Sequence, residues 1–205
     1  MNRTTRTADS WQIMLPPGWV TVPTDPEKSR AAVHAVGARL VRDKHRDELV
    51  KARIEVEQTL MAQVEQARKQ GAAAVHSLVE PIRGVPVSAS LVVTELTLPT
   101  DEEMKSGLAQ VFGNAVGVLE NEQVEIAGLH GLRRRRRAPM ELPEGTPADM
   151  EAWETHLDYV LATGPDDYLL LNYATVTDPI ADELVVLFDA ITSTLHRTET
   201  PTPSG

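Results

Sequence analysis

The sequence has no cysteine among its 205 residues. Disulfides, thiolate metal sites and a cysteine nucleophile are therefore excluded. Aromatic residues make up only 4% of the chain, so Val, Leu, Ile and Ala have to fill most of the core. No stretch approaches the roughly 20 apolar residues that a membrane-spanning helix requires. The segment MNRTTRTADS has arginines but no apolar run behind them, so we expect no signal peptide and a cytoplasmic protein without membrane contact.

The motifs of common enzyme classes are also missing. The chain has no Gly-x-Ser-x-Gly elbow and neither of the common glycine-rich phosphate-binding loops. None of its six histidines forms the i, i+4 pair of a zinc hydrolase helix. Glu154, His156 and Asp158 share one face of a predicted strand, a pattern more typical of a solvent-facing surface than of a metal site. We therefore predict no enzyme, no catalytic residue, no cofactor and no metal.

Charge is distributed unevenly along the chain. The formal net charge is -10, but residues 1–137 hold nineteen basic and seventeen acidic residues, whereas residues 138–205 hold one and thirteen. An acidic region of that size repels a phosphate backbone, so nucleic acid is not an expected partner. Fifteen arginines against five lysines, with abundant Ala and Val, are typical of a high-GC bacterium such as an actinobacterium.

The C-terminal region predicts a hairpin followed directly by a helix. The sequence HLDYVLA at 156–162 alternates as a strand does, and residues 164–167 (GPDD) have the composition of a turn. The next strand is predicted from Tyr168 to Val176. Asp178 is expected to cap a helix, since a proline follows it and apolar residues then recur at spacings of three and four. The apolar stripe of this helix can pack on the hairpin.

The rest of the chain alternates between helical and strand-like patterns. Asp25 and Pro26 open a helical segment, 26–70, which the charged sequence RDKHRDE at 42–48 divides or bends, and Gly71 is a predicted C-cap. The other predicted elements are strands at 72–83 and 86–98, a short helix from Thr100, strands at 122–127 and 132–138 joined by a turn at 128–131, and a loop at 139–150.

Short turns between successive strands predict antiparallel pairing. We therefore predict an α+β fold, with a largely antiparallel sheet flanked by helices as an αβα sandwich. One domain is expected over residues 10–197, including the helical segment 26–70. Residues 1–9 are predicted to be disordered and residues 198–205 to be a flexible tail.

Five residues are candidates for binding. Arg133, Arg135 and Arg137 belong to a run of five arginines and would share one face of a strand. We expect an edge strand whose charges pair internally with Glu and Asp; the alternative is contact with an anion or an acidic peptide. Trp11 and Trp19 lie eight residues apart across a turn, where they either plug an edge of the core or form a ligand-binding platform.

A resemblance to a known family rests on short sequences at both ends of the chain. Leu15-Pro16-Pro17-Gly18-Trp19 reads LPxGW, and a hairpin and helix ending in Leu187-Phe188-Asp189-Ala190-Ile191 close the pattern. This order resembles the PsbP-like superfamily, which includes a photosystem subunit, DcrB-type bacterial proteins and uncharacterised actinobacterial proteins. The resemblance implies an αβα sandwich with a non-catalytic binding or adaptor role.

Two hypotheses about function follow. The first is a non-catalytic cytoplasmic binding or adaptor protein that contacts a protein partner or self-associates as a homodimer. Its candidate surfaces are the apolar stripe from Leu49 to Val64 and the two tryptophans. The alternative is a small-ligand-binding protein or hydrolase-like enzyme with a cleft between sheet and helix, using Glu154, His156 and Asp158.

Overall fold

The computed structural model describes residues 3–6, 11–40, 46–72, 74–97, 116–140 and 151–197. These ranges contain ten strands: β1 (Arg3–Arg6), β2 (Trp11–Leu15), β3 (Trp19–Pro23), β4 (Ala74–Leu78), β5 (Ser90–Thr97), β6 (Val118–Ile126), β7 (Leu129–Pro139), β8 (Trp153–Ala162), β9 (Asp167–Thr175) and β10 (His196–Arg197). The α-helices within the same ranges are α1 (Pro26–Leu40), α2 (Arg46–Lys69) and α3 (Ala181–Thr192).

The predicted fold class is confirmed. Seven strands are hydrogen-bonded neighbours in the order β3-β4-β5-β9-β8-β7-β6, and β1, β2 and β10 form a smaller sheet. Every pairing with a defined register is antiparallel. Together with the helices, these sheets make an α+β fold. No helix of the described ranges is long and apolar enough to cross a membrane.

The chain divides into two compact units. The first unit contains residues 1–94 and 196–205, and the second contains residues 95–195. We had expected one domain over residues 10–197. The segment 1–9, expected to be disordered, contributes β1, which pairs with β2. The tail 198–205 lies outside the described residues, as do most of the predicted helix after Thr100 and of the 139–150 loop.

In the first unit, local signals fix both ends of the helical segment. Asp25 accepts hydrogen bonds from the backbone N–H groups of Glu27 and Lys28 at 3.1 and 3.0 Å, so it caps α1 as predicted. At the end of α2, Gly71 has a φ of +79°, a conformation that glycine adopts without strain. The N–H of Ala72 then reaches the carbonyl of Ala67 at 3.0 Å, which makes a Schellman cap.

Helices α1 and α2 pack on one face of β3 and β4. The described residues of this segment form two helices, and residues 41–45, where the predicted division or bend falls, lie outside them. The apolar side chains buried between these helices and strands are Val22, Val33, Val36, Leu60, Val64, Ala67, Ala72 and Val75. Part of the predicted Leu49–Val64 stripe is therefore core, because Val64 is only 2% exposed.

The opposite face of β4 is buried as well, and it carries a histidine. His76 has no exposed surface, and its Nδ1 lies 3.0 Å from the hydroxyl of Thr21 on β3. Its Nε2 is buried without a hydrogen-bond partner. Burial in this apolar setting lowers the pKa of His76 to about 4, so the ring is neutral in the folded protein at pH 7.

The second unit is an antiparallel meander backed by α3. Strands β6 to β9 pair in sequence order, and a two-residue turn joins β6 to β7. Both turn residues, Ala127 and Gly128, have positive φ angles of 53° and 76°, as a type I′ turn requires. The predicted turn at 128–131 was too long, because the chain reverses before Leu129.

The predicted C-terminal ribbon and helix are confirmed. The ring of Phe188 on α3 stacks on Tyr173 of β9 with centroids 4.8 Å apart. One detail was wrong: Asp178 does not cap the helix, because residues 178–180 form a 3-10 turn and α3 begins at Ala181 without a side-chain cap. The carboxylate of Asp178 instead accepts a hydrogen bond from Arg137.

The buried His76 predicts a loss of stability in mild acid. Its pKa is about 4 when folded and 6.5 when unfolded, so between these values the unfolded chain binds more protons. Stability contributed by the neutral ring is complete above pH 6.5 and falls as the pH drops towards 4, by about 3 kcal/mol. Replacement His76→Gln should flatten the unfolding free energy over this window, measured by urea denaturation at several pH values.

His130 provides the matched control, because its side chain is 83% exposed. The His130→Gln variant should keep the acid-dependent slope of the wild type. If His76→Gln keeps the slope as well, the buried ring is not its source.

Candidate functional site

Five consecutive arginines, Arg133–Arg137, form the middle of β7. The strand lies between β6 and β8, so the expectation of an edge strand was wrong. Alternation along β7 turns Arg133, Arg135 and Arg137 towards α3 and turns the other two arginines to the opposite face. Each face meets carboxylates from neighbouring elements, which confirms the predicted internal pairing.

Arg133 donates hydrogen bonds to three carboxylates. Its Nε and Nη2 donate to the two carboxylate oxygens of Asp189 on α3, at 2.9 and 3.0 Å. Its Nη1 donates to Glu120 at 2.6 Å and to Glu122 at 3.2 Å, both on β6. The bond to Asp189 raises the pKa of Arg133, and the bond from Arg133 lowers the pKa of Glu120. The side chain of Arg133 is 11% exposed, and its guanidinium connects α3 to β6 and β7.

The hydroxyl of Tyr159 on β8 adds a further hydrogen bond between α3 and the sheet. It donates a hydrogen bond to the carboxylate of Asp189, which also accepts from Arg133. Burial, and then the hydrogen bond to Asp189, raise the pKa of Tyr159, so the phenol stays protonated and keeps donating. One helix residue is thus bonded to two adjacent strands.

Arg135 and Arg137 make more exposed pairs along the same face. Arg135 donates to Glu120 at 3.2 Å and to Asp182, a residue whose side chain is 83% exposed. Arg137 donates to Asp178 at 2.9 Å, and its guanidinium lies 4.6 Å from the ring centroid of Trp153. A pair as exposed to water as Arg137–Asp178 typically contributes less than about 1 kcal/mol. Exposure therefore separates Arg137, whose side chain is 40% exposed, from Arg133 and Arg135, whose side chains are 11% and 16% exposed.

The other face of β7 is organised around one buried carboxylate. Asp158 on β8, 6% exposed, accepts from Arg134 at 3.1 and 2.7 Å and from the amide of Asn172. The Nε of Arg136 lies 3.6 Å from the same carboxylate. Asp158 is thus neutralised by two cations, which allows a charge to be buried.

Glu154 and His156 form a separate pair on this face. The Nε2 of His156 lies 3.0 Å from Glu154, and this bond lowers the pKa of the glutamate. The Nδ1 of His156 is buried without a hydrogen-bond partner. Asp158 is bonded to arginine and asparagine, whereas His156 is bonded to Glu154. Within the described ranges, no group of three such side chains could hold a metal ion.

The second unit is strongly acidic in spite of its five consecutive arginines. Residues 95–195 contain six Lys and Arg against nineteen Asp and Glu, a formal charge of -13. The donors of Arg133 are taken by the protein's own carboxylates, and an external anion would meet a repulsive field. This arrangement favours a structural role for Arg133, Arg135 and Arg137 over the anion contact that we considered as an alternative.

Trp11 and Trp19 lie in different sheets of the first unit. Trp11 is on β2 and Trp19 is on β3, and each side chain is 6% exposed. An indole with so little exposed surface has little face left for a ligand. The burial is consistent with the expected role in the core, and a binding role for either residue stays a prediction.

An open groove of about 460 Å³ lies between α1 and α2. Its apolar lining comes from Val33, Met61 and Ile54, of which Ile54 is 47% exposed. Its polar lining comes from Arg30, His34, Glu57 and Gln58.

A glycine shapes this groove. A Cβ on Gly37 of α1 would lie 2.3 Å from a carboxylate oxygen of Glu57, so the glutamate side chain would have to shift if any other residue stood there. Glu57 accepts from Arg53 at 2.7 Å, and Arg53 reaches His34 at 2.9 Å. We missed the groove in the sequence, where the one available signal was a glycine inside a helical pattern.

Replacing the arginines singly should separate their roles. Arg133→Gln leaves Asp189 and Glu120 without a cation and should lower the unfolding free energy by about 2 kcal/mol. Arg137→Gln should cost under about 1 kcal/mol, because the pair it breaks is exposed. Thermal and urea denaturation of both variants measure the difference. Equal, negligible losses would contradict the structural role of Arg133.

No family model matches the chain, and no curated protein matches it. A solved structure that is similar to it is the solution structure of cyanobacterial PsbP (CyanoP) from Synechocystis sp. PCC 6803, with a TM-score of 0.46 and 13% sequence identity. The match covers 96% of this chain and 92% of that chain. That structure carries the PsbP name, the family to which the sequence resemblance pointed.

Proposed function

We propose that the chain is a non-catalytic binding protein that acts through protein–protein contacts, and that it self-associates through the groove between α1 and α2. One observation carries the proposal: the groove is open and exposes Ile54 at its apolar lining. Exposed apolar surface rimmed by polar residues is typical of protein interaction sites. A cytoplasmic location belongs to the same proposal and is checked by cell fractionation.

The groove has the chemistry of a self-complementary surface. Its polar lining contains a cation, Arg30, and an anion, Glu57, so two copies can approach without a large excess of one charge. A two-fold contact places the same patch against itself, which suits a surface that carries both signs. Two α-helical hairpins that meet in this way would form a four-helix arrangement, a common way to bury apolar helix faces.

The charges of the two units also favour this surface for self-association. Residues 1–94 and 196–205 carry a formal charge of +3, against -13 for residues 95–195. Two second units would repel each other strongly, whereas two first units would repel only weakly. The first unit is therefore the better surface for contact between two copies.

A small ligand in the same groove is the second candidate function. Pockets that hold small molecules typically measure about 300–1,000 Å³ and combine an apolar lining with a few polar groups. The groove fits that size, and it lies between two helices instead of between sheet and helix as the sequence had suggested. Its openness favours a protein partner, because small-molecule sites enclose most of the ligand.

Replacement of Ile54 by Asp tests the proposed self-association. We expect the wild-type protein to be a dimer and Ile54→Asp to be a monomer, since a carboxylate at the apolar lining cannot be desolvated without a partner. Light scattering during size-exclusion chromatography, over a concentration series, measures the mass of each.

Val186 supplies a matched control. It is an apolar residue on α3 that is 69% exposed, outside the groove, so Val186→Asp introduces the same charge on another helix. This variant should remain a dimer. A wild-type protein that stays monomeric at every concentration, or a loss of dimer in both variants, contradicts the proposal.

A further inference from the structure

Strand β6 is the last strand of the seven-stranded order. In the part of the chain that the structure describes, its only hydrogen-bonded neighbour is β7. A terminal strand presents backbone N–H and C=O groups along its outer side, and such a row can pair with another extended chain. An irregular register between Val118 and Glu120 disturbs one end of β6, so the regular run extends from Glu120 to Ile126.

Side chains on β6 are unusually exposed for a strand of this sheet. Leu119 is 57% exposed, and the side chains of Glu122 and Glu125 are 58% and 65% exposed. Natural edge strands are often protected by lysine or proline, and residues 118–126 contain neither. Glu120 gives little protection because Arg133 and Arg135 hold its carboxylate. Glu122 also accepts from Arg133, and Glu125 lies 3.8 Å from His130, but more than half of each side chain stays exposed and open to a further cation.

We propose that the outer edge of β6 binds an extended segment of a partner protein that carries two basic residues three positions apart. Addition of a strand to a sheet edge is a recurring mode of peptide recognition, in which backbone hydrogen bonds give affinity and side chains give specificity. Glu122 and Glu125 are three positions apart, so they lie on opposite faces of the sheet. Two basic residues with the same spacing would meet one glutamate on each face.

The sign of the charge selects this occupant. The second unit has a formal charge of -13, so a basic segment is attracted to it and an acidic segment is repelled. A second copy of the chain would bring another unit of the same charge to the edge. The basic segment therefore belongs to a different protein, and this contact is independent of the proposed self-association in the first unit.

A synthetic peptide tests the proposal directly. The probe is a fluorescein-labelled nine-residue peptide of threonine and valine, with lysine at its third and sixth positions. We expect it to bind the full-length protein in a fluorescence anisotropy titration. The double variant Glu122→Gln/Glu125→Gln should weaken binding about fivefold, since each exposed ion pair contributes modestly.

Two controls separate strand addition from general attraction between charges. The variant Glu151→Gln/Glu183→Gln removes two exposed carboxylates elsewhere in the second unit and should bind within about twofold of the wild type. A peptide with the same lysines but with two prolines among its other positions should bind at least about tenfold more weakly, because proline cannot donate backbone hydrogen bonds.

Backbone amide exchange supplies the direct readout of the site. Saturating lysine peptide should slow exchange in residues 120–126 and leave α3 unchanged. The proposal is overturned if the lysine peptide does not bind, if the proline peptide binds equally well, or if both double variants weaken binding equally. Circular dichroism and thermal melts confirm that each variant is folded.

Discussion

The fold of the second unit depends on the hydrogen-bonded ion pair between Arg133 and Asp189. A guanidinium with its side chain 11% exposed has lost most of its hydration, so the protein has to supply acceptors for its donors. Asp189 takes two of the bonds, the glutamates of β6 take the others, and Tyr159 donates to the same aspartate. Removing one partner would leave a desolvated charge, so helix α3 is tied to its sheet by more than apolar packing.

Five arginines can occupy an inner strand only because both faces of that strand are supplied with carboxylates. One face draws on β6 and α3, and the other on Asp158 of β8. Glutamate on a neighbouring strand and aspartate on a helix reach the arginines from different directions, which keeps each guanidinium close to an acceptor. The acids of the unit exceed its bases by thirteen, so the arginines leave the unit acidic. A strand that looks like an anion site in sequence thus belongs to an acidic unit.

Local sequence signals predicted the local structure well. Asp25 before a proline capped α1, Gly71 closed α2, and the apolar stripe around Phe188 packed on its own hairpin. Predictions that needed the pairing of distant strands were weaker. The predicted edge position of β7 was wrong because β6 pairs with its outer side. The predicted cap at Asp178 was wrong, since the carboxylate of Asp178 accepts a hydrogen bond from Arg137, forty-one residues earlier in the chain. The α1–α2 groove could not be predicted, since it depends on how two helices meet.

Charge divides the proposed contacts between the two units. Self-association requires surfaces that do not repel their own copies, which the near-neutral groove satisfies and the acidic unit does not. Recognition of a different protein gains from opposite charge, which the acidic unit provides along an exposed strand. Self-association in the groove is mainly apolar, so added salt should leave it intact. Binding of a basic segment to β6 is partly ionic, so added salt should weaken it. The two proposed contacts, one with a second copy and one with a basic partner, would therefore use separate surfaces.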